Sequence, residues 1–310
     1  MFEVIRELDK NKKPEASVVT IGAFDGIHIG HEKIIRKALE EAKHLRCKSC
    51  VVTFDPHPSA IVSNAPAPVL LSLPRKIQLI KELGTDMCLL INFNRKFSQL
   101  PARSFVKKVL VEYLSAKIVI IGYNYVFGKD CKGNADTLSE MGTEYKFGVR
   151  QILPVKIGKD TVSSTKIRAF VREANFLQAN AFLGRPYEIT GKVGKGKGKG
   201  RIVGFPTANL NEFNNLLPPP GVYAGFAVFQ KHCHKAVLNL GWQPTFSRKT
   251  QLKGPTAEVH ILDFDKNIYG SELTFCFLDK IREEVSFGNT EKLKKQIEKD
   301  VDITRKLVYN

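Results

Sequence analysis

From Ser17 to Pro154 short apolar runs alternate with amphipathic stretches, the pattern of a parallel sheet with crossover helices. The runs Ser17–Ile21, Cys50–Phe54, Met87–Phe93, Lys117–Ile121 and Gln151–Val155 read as strands. Within Gly30–Leu45, Ile34, Ile35, Ala38, Leu39, Ala42 and Leu45 recur at helical spacing and predict one buried face. Ser72 and Pro74 open a second helix, and Pro101–Leu114 reads as a third. This part of the chain is expected to be a Rossmann-like, doubly wound α/β domain.

A helical patch from Ser164 to Leu183 stops at Gly184, and after Pro186 the pattern changes to short segments punctuated by glycine and proline. The spans Tyr187–Val193, Val222–Phe229, Ala236–Leu240, Ala257–Asp263 and Glu272–Leu278 read as strands. Several alternate with period two, such as Leu273, Phe275 and Phe277 against Thr274, Cys276 and Leu278. Repeated antiparallel strands predict a small β-barrel, and Leu293, Ile297 and Val301 predict a terminal helix over Asn289–Tyr309 that covers one face. The expected domains are 1–184 and 185–310.

A length of 310 residues suits two such domains, and 43% hydrophobic with 25% charged residues lets them form cores without disulfides. No apolar run approaches a membrane span, and Met1-Phe2-Glu3-Val4 lacks a basic region followed by an apolar one. A cytoplasmic protein without a membrane partner is expected. The six cysteines do not form the doubled pairs of a zinc site. A net charge of +17 attracts polyanions, whether nucleotides or nucleic acids, although Lys292, Lys294, Lys295 and Lys299 read as a solvated helix face.

Chemistry enters with Gly22-Ala23-Phe24-Asp25-Gly26-Ile27-His28-Ile29-Gly30-His31, which leads from the first strand into the first helix. A helix start at the carboxyl end of a strand presents backbone N–H groups and a partial positive charge to phosphate. His28 and His31 can face one side, with Gly30 leaving room, and are suited to neutralising charge that develops on phosphate oxygens. The turn resembles that of the nucleotidyltransferase superfamily, and Ser163-Ser164-Thr165-Lys166-Ile167-Arg168 resembles the superfamily's second phosphate-gripping segment. Phe54-Asp55-Pro56-His57-Pro58 and Gly122-Tyr123-Asn124-Tyr125 follow further strands. In this order, the segments are similar to the adenylyltransferase half of the prokaryotic bifunctional riboflavin kinase and FAD synthetase family. The resemblance implies transfer of AMP from ATP to FMN with Mg²⁺. It assigns Gly22, Phe24, Asp25, Gly26, Gly30, Ser163, Ser164 and Thr165 to the nucleotide, Asn124 to the nucleotide or the flavin, His28, His31 and Arg168 to charge stabilisation, and Pro56, His57 and Pro58 to the flavin end. His57 as a plain loop residue stays an alternative.

In the second half, Gly191-Lys192-Val193-Gly194-Lys195-Gly196-Lys197-Gly198 misses the P-loop pattern, because Gly198 stands where Ser or Thr is needed and no helix follows. A phosphate flap formed by Gly194, Lys197 and Gly200 competes with a solvated turn. Gly204-Phe205-Pro206-Thr207-Ala208-Asn209 matches the Pro-Thr-Ala-Asn motif of riboflavin kinases. The resemblance makes Thr207 and Asn209 oxygen ligands of Mg²⁺, Glu258 the base that activates riboflavin's 5′-hydroxyl, and Arg282 and Phe287 the flavin end. Alternation sets Glu258, His260 and Leu262 on one strand face and Val259, Ile261 and Asp263 on the other. His260 and His232-Cys233-His234 read as structural. Gln243 departs from the family's usual Arg.

Two other readings compete on the same residues. The His28–His31 letters also occur in class I aminoacyl-tRNA synthetases, but Ser163–Arg168 is unlike their Lys-Met-Ser-Lys-Ser type loop. A non-catalytic RNA-binding barrel would interleave aromatics with its basic residues, and the Gly/Lys stretch has none. ATP, riboflavin and FMN are therefore the expected partners, with no nucleic acid. The sequence carries no signal for oligomeric state.

Overall fold

A computed structural model describes residues 2–6, 8, 13–195, 200, 203–213, 215–242 and 255–307, without the side chain of Trp242. The chain divides into two compact units, Met1–Ser164 and Thr165–Asn310.

The first unit is built on β1 (Glu3–Ile5), β2 (Ser17–Ile21), β3 (Lys48–Asp55), β4 (Met87–Asn92), β5 (Ala116–Gly122) and β6 (Gly148–Ile152). They form one parallel sheet in the order β1-β4-β3-β2-β5-β6. Every residue of β2 is buried, as a parallel strand covered on both faces requires. Val19, Val52, Leu89 and Val119 pack to one side with Phe105, Val109 and Leu138, while Val18, Ile118 and Ile120 pack to the other with Ala38 and Ala42 of α1 (Ile29–His44). Successive strands β2, β3 and β4 run outward in one direction and β5 and β6 in the other, so the order reverses between β2 and β5. The carboxyl edge at such a reversal is where open α/β sheets take ligands.

Several local features differ from the expectation. The last strand is Gly148–Ile152, three residues earlier, because Pro154 has no N–H to donate and Leu153 turns out to solvent. The expected third helix is one α-turn, Ala102–Phe105, continuing as a π-helix over Val106–Tyr113. The helix Ala135–Tyr145 was not expected, although Asn134 caps it by accepting the Thr137 N–H. The patch Ser164–Leu183 is two helices, because Ala174 adopts φ 54° and Asn175 caps the second by accepting the Gln178 N–H. In chain order, the unit's remaining helices are α2 (Ser59–Val62), α3 (Leu73–Glu82), α4 (Arg95–Ser98), α5 (Ala102–Phe105) and α6 (Ala135–Tyr145). A short hairpin, β7 (Lys156–Ile157) and β8 (Asp160–Thr161), precedes α7 (Ser164–Arg172) and α8 (Phe176–Leu183).

In the second unit β9 (Tyr187–Gly194), β10 (Ala208–Asn211), β11 (Gly221–Phe229), β12 (His232–Trp242), β13 (Pro255–Ile261) and β14 (Glu272–Arg282) close a barrel in the order β10-β13-β12-β11-β14-β9. Leu273, Phe275 and Phe277 are fully buried inside it, as their alternation predicts. Helix α8 belongs to this unit: the Phe176 ring stacks on Phe277 at 4.7 Å, and Asn180 donates to the Phe277 carbonyl while accepting the Tyr187 N–H. These bonds fasten α8 to the barrel, although the sequence changes character only after it. The terminal helix α9 (Thr290–Lys306) lays Ile297 and Val301 on Val222, Val237 and Leu262, outside the barrel. Asp263 does not continue the strand: it turns at φ 55° and forms an ion pair with Arg305.

Candidate functional site

The turn after β2 is strained and tied down from several sides. Phe24 and Ile27 adopt φ 47° and 37°, the left-handed region that L-residues disfavour. The Ala23 carbonyl accepts from Thr53 Oγ1 at 3.1 Å and from Lys76 Nζ at 3.0 Å. The Asp25 carboxylate accepts the backbone N–H groups of Leu70 and Leu71, and the Asp25 carbonyl accepts from Ser164 Oγ at 2.8 Å. Phe24 and Asp25, each 2% exposed, thus shape the turn from beneath. The Ser164 bond joins two motifs that lie 139 residues apart.

His28 caps α1, its Nδ1 accepting the His31 N–H at 3.2 Å. With Nδ1 accepting, Nε2 is the ring nitrogen that carries a proton. The two imidazoles stack 3.6 Å apart, and a Cβ at Gly30 would sit 3.1 Å from His28 Nδ1. Gly30 therefore makes room for the His28 ring itself. Gly22 does the same for the Phe24 ring, and Gly26 supplies φ 88° within the turn. Arg168, one turn into α7, is buried, whereas Thr165 is exposed and Ser163 half-buried.

Along the same carboxyl edge, Asn124 is exposed just after β5. After β3, the His57 Nδ1 lies 2.8 Å from Ser59 Oγ and accepts the Ser59 N–H, so this ring also caps the first turn of α2. Beside Pro56, His57 and Pro58 the rings of Phe54, Phe93 and Phe97 meet edge to face at 5.5 to 5.6 Å or tilted at 6.3 Å. This aromatic cluster was not singled out from the sequence, because its members come from three separate elements.

On the barrel, strand register does the assembling. Gly194 pairs with Asn209, Asn209 with Glu258, Glu258 with Asn239, Asn239 with Val222 and Val222 with Arg282. Directly paired residues project to one face, so Asn209, Glu258 and Asn239 stand side by side, all half-buried. This is the face opposite Val259 and Leu238, which fill the barrel. Asn239 lies within the predicted strand Ala236–Leu240, and only the register sets it next to Glu258. Strand β10 itself was not expected; the sequence there reads as a capped turn.

The Thr207 end of the row is braced. His260 Nδ1 bonds the Pro206 carbonyl at 2.9 Å, and its ring meets Phe205 edge to face. Phe205 N–H donates to the Gly200 carbonyl at 2.8 Å, and any Cβ at Gly200 would collide with the Phe205 carbonyl. Gly200 must therefore be glycine to lie against Phe205 and Thr207; Lys197 and Gln243 lie outside the described residues. At the other end, Asp300 on α9, 1% exposed, accepts from Arg282 Nε and Nη2 at 2.8 to 3.1 Å and from Gln296 Nε2 at 2.9 Å. This fork holds the Arg282 guanidinium 5.7 Å from the Phe287 ring centre. No group of three His, Cys, Asp or Glu among the described residues could hold a metal alone. Thr207 and Asn209 offer hard oxygens of the kind Mg²⁺ takes when phosphates and waters complete its shell.

Family models separate at the same two sites: the model described as FAD synthetase matches residues 10–166, and that described as riboflavin kinase matches residues 183–308. A protein of Buchnera aphidicola from Schizaphis graminum, named bifunctional riboflavin kinase/FMN adenylyltransferase, is 35% identical over 98% of both chains. The chain belongs to the bifunctional riboflavin kinase/FMN adenylyltransferase family. Further members in Bacillus subtilis and Escherichia coli K12 are each 33% identical over 92% of this chain and at least 90% of their own. A solved structure from Streptococcus pneumoniae, described as a macrolide-efflux protein, superposes with a TM-score of 0.87 at 29% identity, covering 98% of this chain and 99% of its own. Among the described residues of this riboflavin kinase/FMN adenylyltransferase family member, no helix is long and apolar enough to cross a membrane.

Proposed function

We propose that this chain makes FMN from riboflavin and ATP on its barrel and FAD from FMN and ATP on its α/β unit. The observation that supports the reading is that motif residues far apart in sequence are joined in each unit. Ser164 is bonded to the His28 turn, and Asn209, Glu258 and Asn239 stand side by side.

In the kinase reaction, the Glu258 carboxylate takes the proton of the ribityl 5′-hydroxyl as that oxygen attacks the γ-phosphorus of ATP and ADP leaves. Thr207 and Asn209 would hold the Mg²⁺ that accompanies ATP and offsets phosphate charge, while Gly194, Lys197 and Gly200 flank the phosphates. Arg282 and Phe287 receive the flavin end. In the adenylyl transfer, an FMN phosphate oxygen attacks the α-phosphorus of ATP and the bond to pyrophosphate breaks. The His28 Nε2–H donates to a phosphate oxygen, and His31 and Arg168 are assigned to the same phosphates. The turn Gly22–Gly30 with Ser163, Ser164 and Thr165 forms their cradle, and Asn124 flanks the nucleotide. Pro56, His57 and Pro58, with the Phe54 and Phe97 rings nearby, suit the flavin ring.

The functional domains are taken as 1–184 and 185–310, with the net charge serving phosphorylated substrates and not nucleic acid. The six cysteines are unpaired, which suits a reducing compartment, and we assign the protein to the cytoplasm. The test is incubation of the full chain with riboflavin, ATP and Mg²⁺, the flavins being separated over time, beside a second reaction started from FMN. FMN followed by FAD is expected. FMN alone in the first reaction and no FAD in the second would remove the adenylyltransferase half, and no conversion in either would remove both.

A further inference from the structure

Lys76 carries no sequence signal, because a lysine in α3 between Arg75 and Lys81 reads as a solvated position. In the fold it is 5% exposed, and it points its Nζ at the carbonyl of Ala23 beneath the turn after β2. Burial pushes its pKa below the usual lysine range, and the Asp25 carboxylate is the largest charge opposing that shift, with Cys88 and Asp55 adding to it. A buried ammonium is costly unless it is paired, so its placement calls for an explanation.

We infer that Lys76 is a positioning residue for adenylyl transfer, holding the Ala23 carbonyl in the core, away from the incoming polyphosphate. The inference rests on reading this turn as the phosphate site. A turn that receives an anion must direct carbonyl oxygens away from it, since each oxygen carries partial negative charge. Three successive carbonyls here are engaged within the protein. Ala23 accepts from Thr53 Oγ1 and Lys76 Nζ, Phe24 from the Ile27 N–H at 3.4 Å, and Asp25 from Ser164 Oγ. Lys76 is the charged donor of that set. It also sets a positive charge against the Asp25 carboxylate, 2% exposed, which would otherwise leave a buried negative charge under a polyanion. The left-handed Phe24 and Ile27 do not hold the turn by themselves.

The test compares the full chain with Lys76→Met and Lys76→Arg in FAD formation from FMN and ATP. FMN formation from riboflavin is followed in the same preparations as an internal control. Lys76→Met is expected to lower kcat roughly 10- to 100-fold and raise KM for ATP, leaving KM for FMN and the rate of FMN formation within about twofold. Lys76→Arg, which keeps the charge, is expected to recover kcat to within about fivefold of wild type. A folded Lys76→Met with wild-type kcat and KM for ATP overturns the inference, as does a lowered unfolding temperature with no kinetic change. If Lys76→Met does not fold, Lys76→Gln is judged by the same criteria, and failure of both to fold makes Lys76 a stability residue and overturns it. Wild-type protein that makes no FAD would instead remove the adenylyltransferase reading.

Discussion

Under the proposed function, the turn of the α/β unit and the polar row of the barrel would both bring phosphates beside a reacting oxygen, and they are built of opposite materials. The turn is backbone bent into a disfavoured shape, and it is held from beneath by the buried side chains of Thr53, Lys76 and Asp25 and from the side by half-buried Ser164. The row is side chains on regular strands, and its working groups are set by the hydrogen-bond ladder that pairs Asn209, Glu258 and Asn239. A site of the first kind should be sensitive to residues that never meet the substrate. A site of the second kind should be sensitive mainly to the residues in the row.

The sharpest contrast is expected from Glu258→Gln, which keeps shape and removes the base. FMN formation should fall about 10² to 10⁴-fold, the range of general-base catalysis, while FAD formation from added FMN stays unchanged. Separate rate assays on one preparation decide it, and a residual rate above a tenth would take the base role from Glu258. His28→Ala should remove a phosphate donor together with the cap of α1, lowering FAD formation about 10² to 10³-fold and sparing FMN formation. Adding His31→Ala should abolish FAD formation without touching FMN formation, and loss of both activities in folded protein would break the separation of the sites.

Smaller effects probe the supports. Asp300→Asn weakens the charged fork on Arg282, and about a tenfold rise in KM for riboflavin with little change in kcat is expected from steady-state kinetics. Ser164→Ala removes one bond to the turn, and the worth of one neutral hydrogen bond, about 0.5 to 1.5 kcal/mol, sets a two- to tenfold fall in FAD formation. If Ser164→Ala cost more than Glu258→Gln, the contrast between the two constructions would be reversed.

Much of this was legible in the sequence where a local rule had a single reading. All five residues of β2 are apolar or small and every one is buried; the alternation of Leu273, Phe275 and Phe277 could only be a strand with one face inward. The His28–His31 turn and the Pro206–Asn209 motif were visible because their members are contiguous. What stayed hidden depends on partners far along the chain. Four residues, Ala208–Asn211, become β10 only because β9 and β13 pair with them. Asn239 gains meaning from Glu258 opposite it, and Asp300 from Arg282. Helices α7 and α8 read as the end of the first domain, yet the Asn180 bonds and the Phe176 ring fasten α8 to the barrel. The π-helical turn after Phe105 has no marker in residue type, since it differs from an α-helix only in which carbonyl each N–H selects.

The row on the barrel also acts as a ruler. Glu258 and Arg282 are three strand spacings apart through Asn239 and Val222, about 14 Å along the sheet. Because the barrel is closed, no strand can slide to alter that span without breaking the whole ring of pairings. The enzyme would therefore measure its substrate: a flavin whose sugar chain is one carbon too short or too long could satisfy one end of the scale but not both.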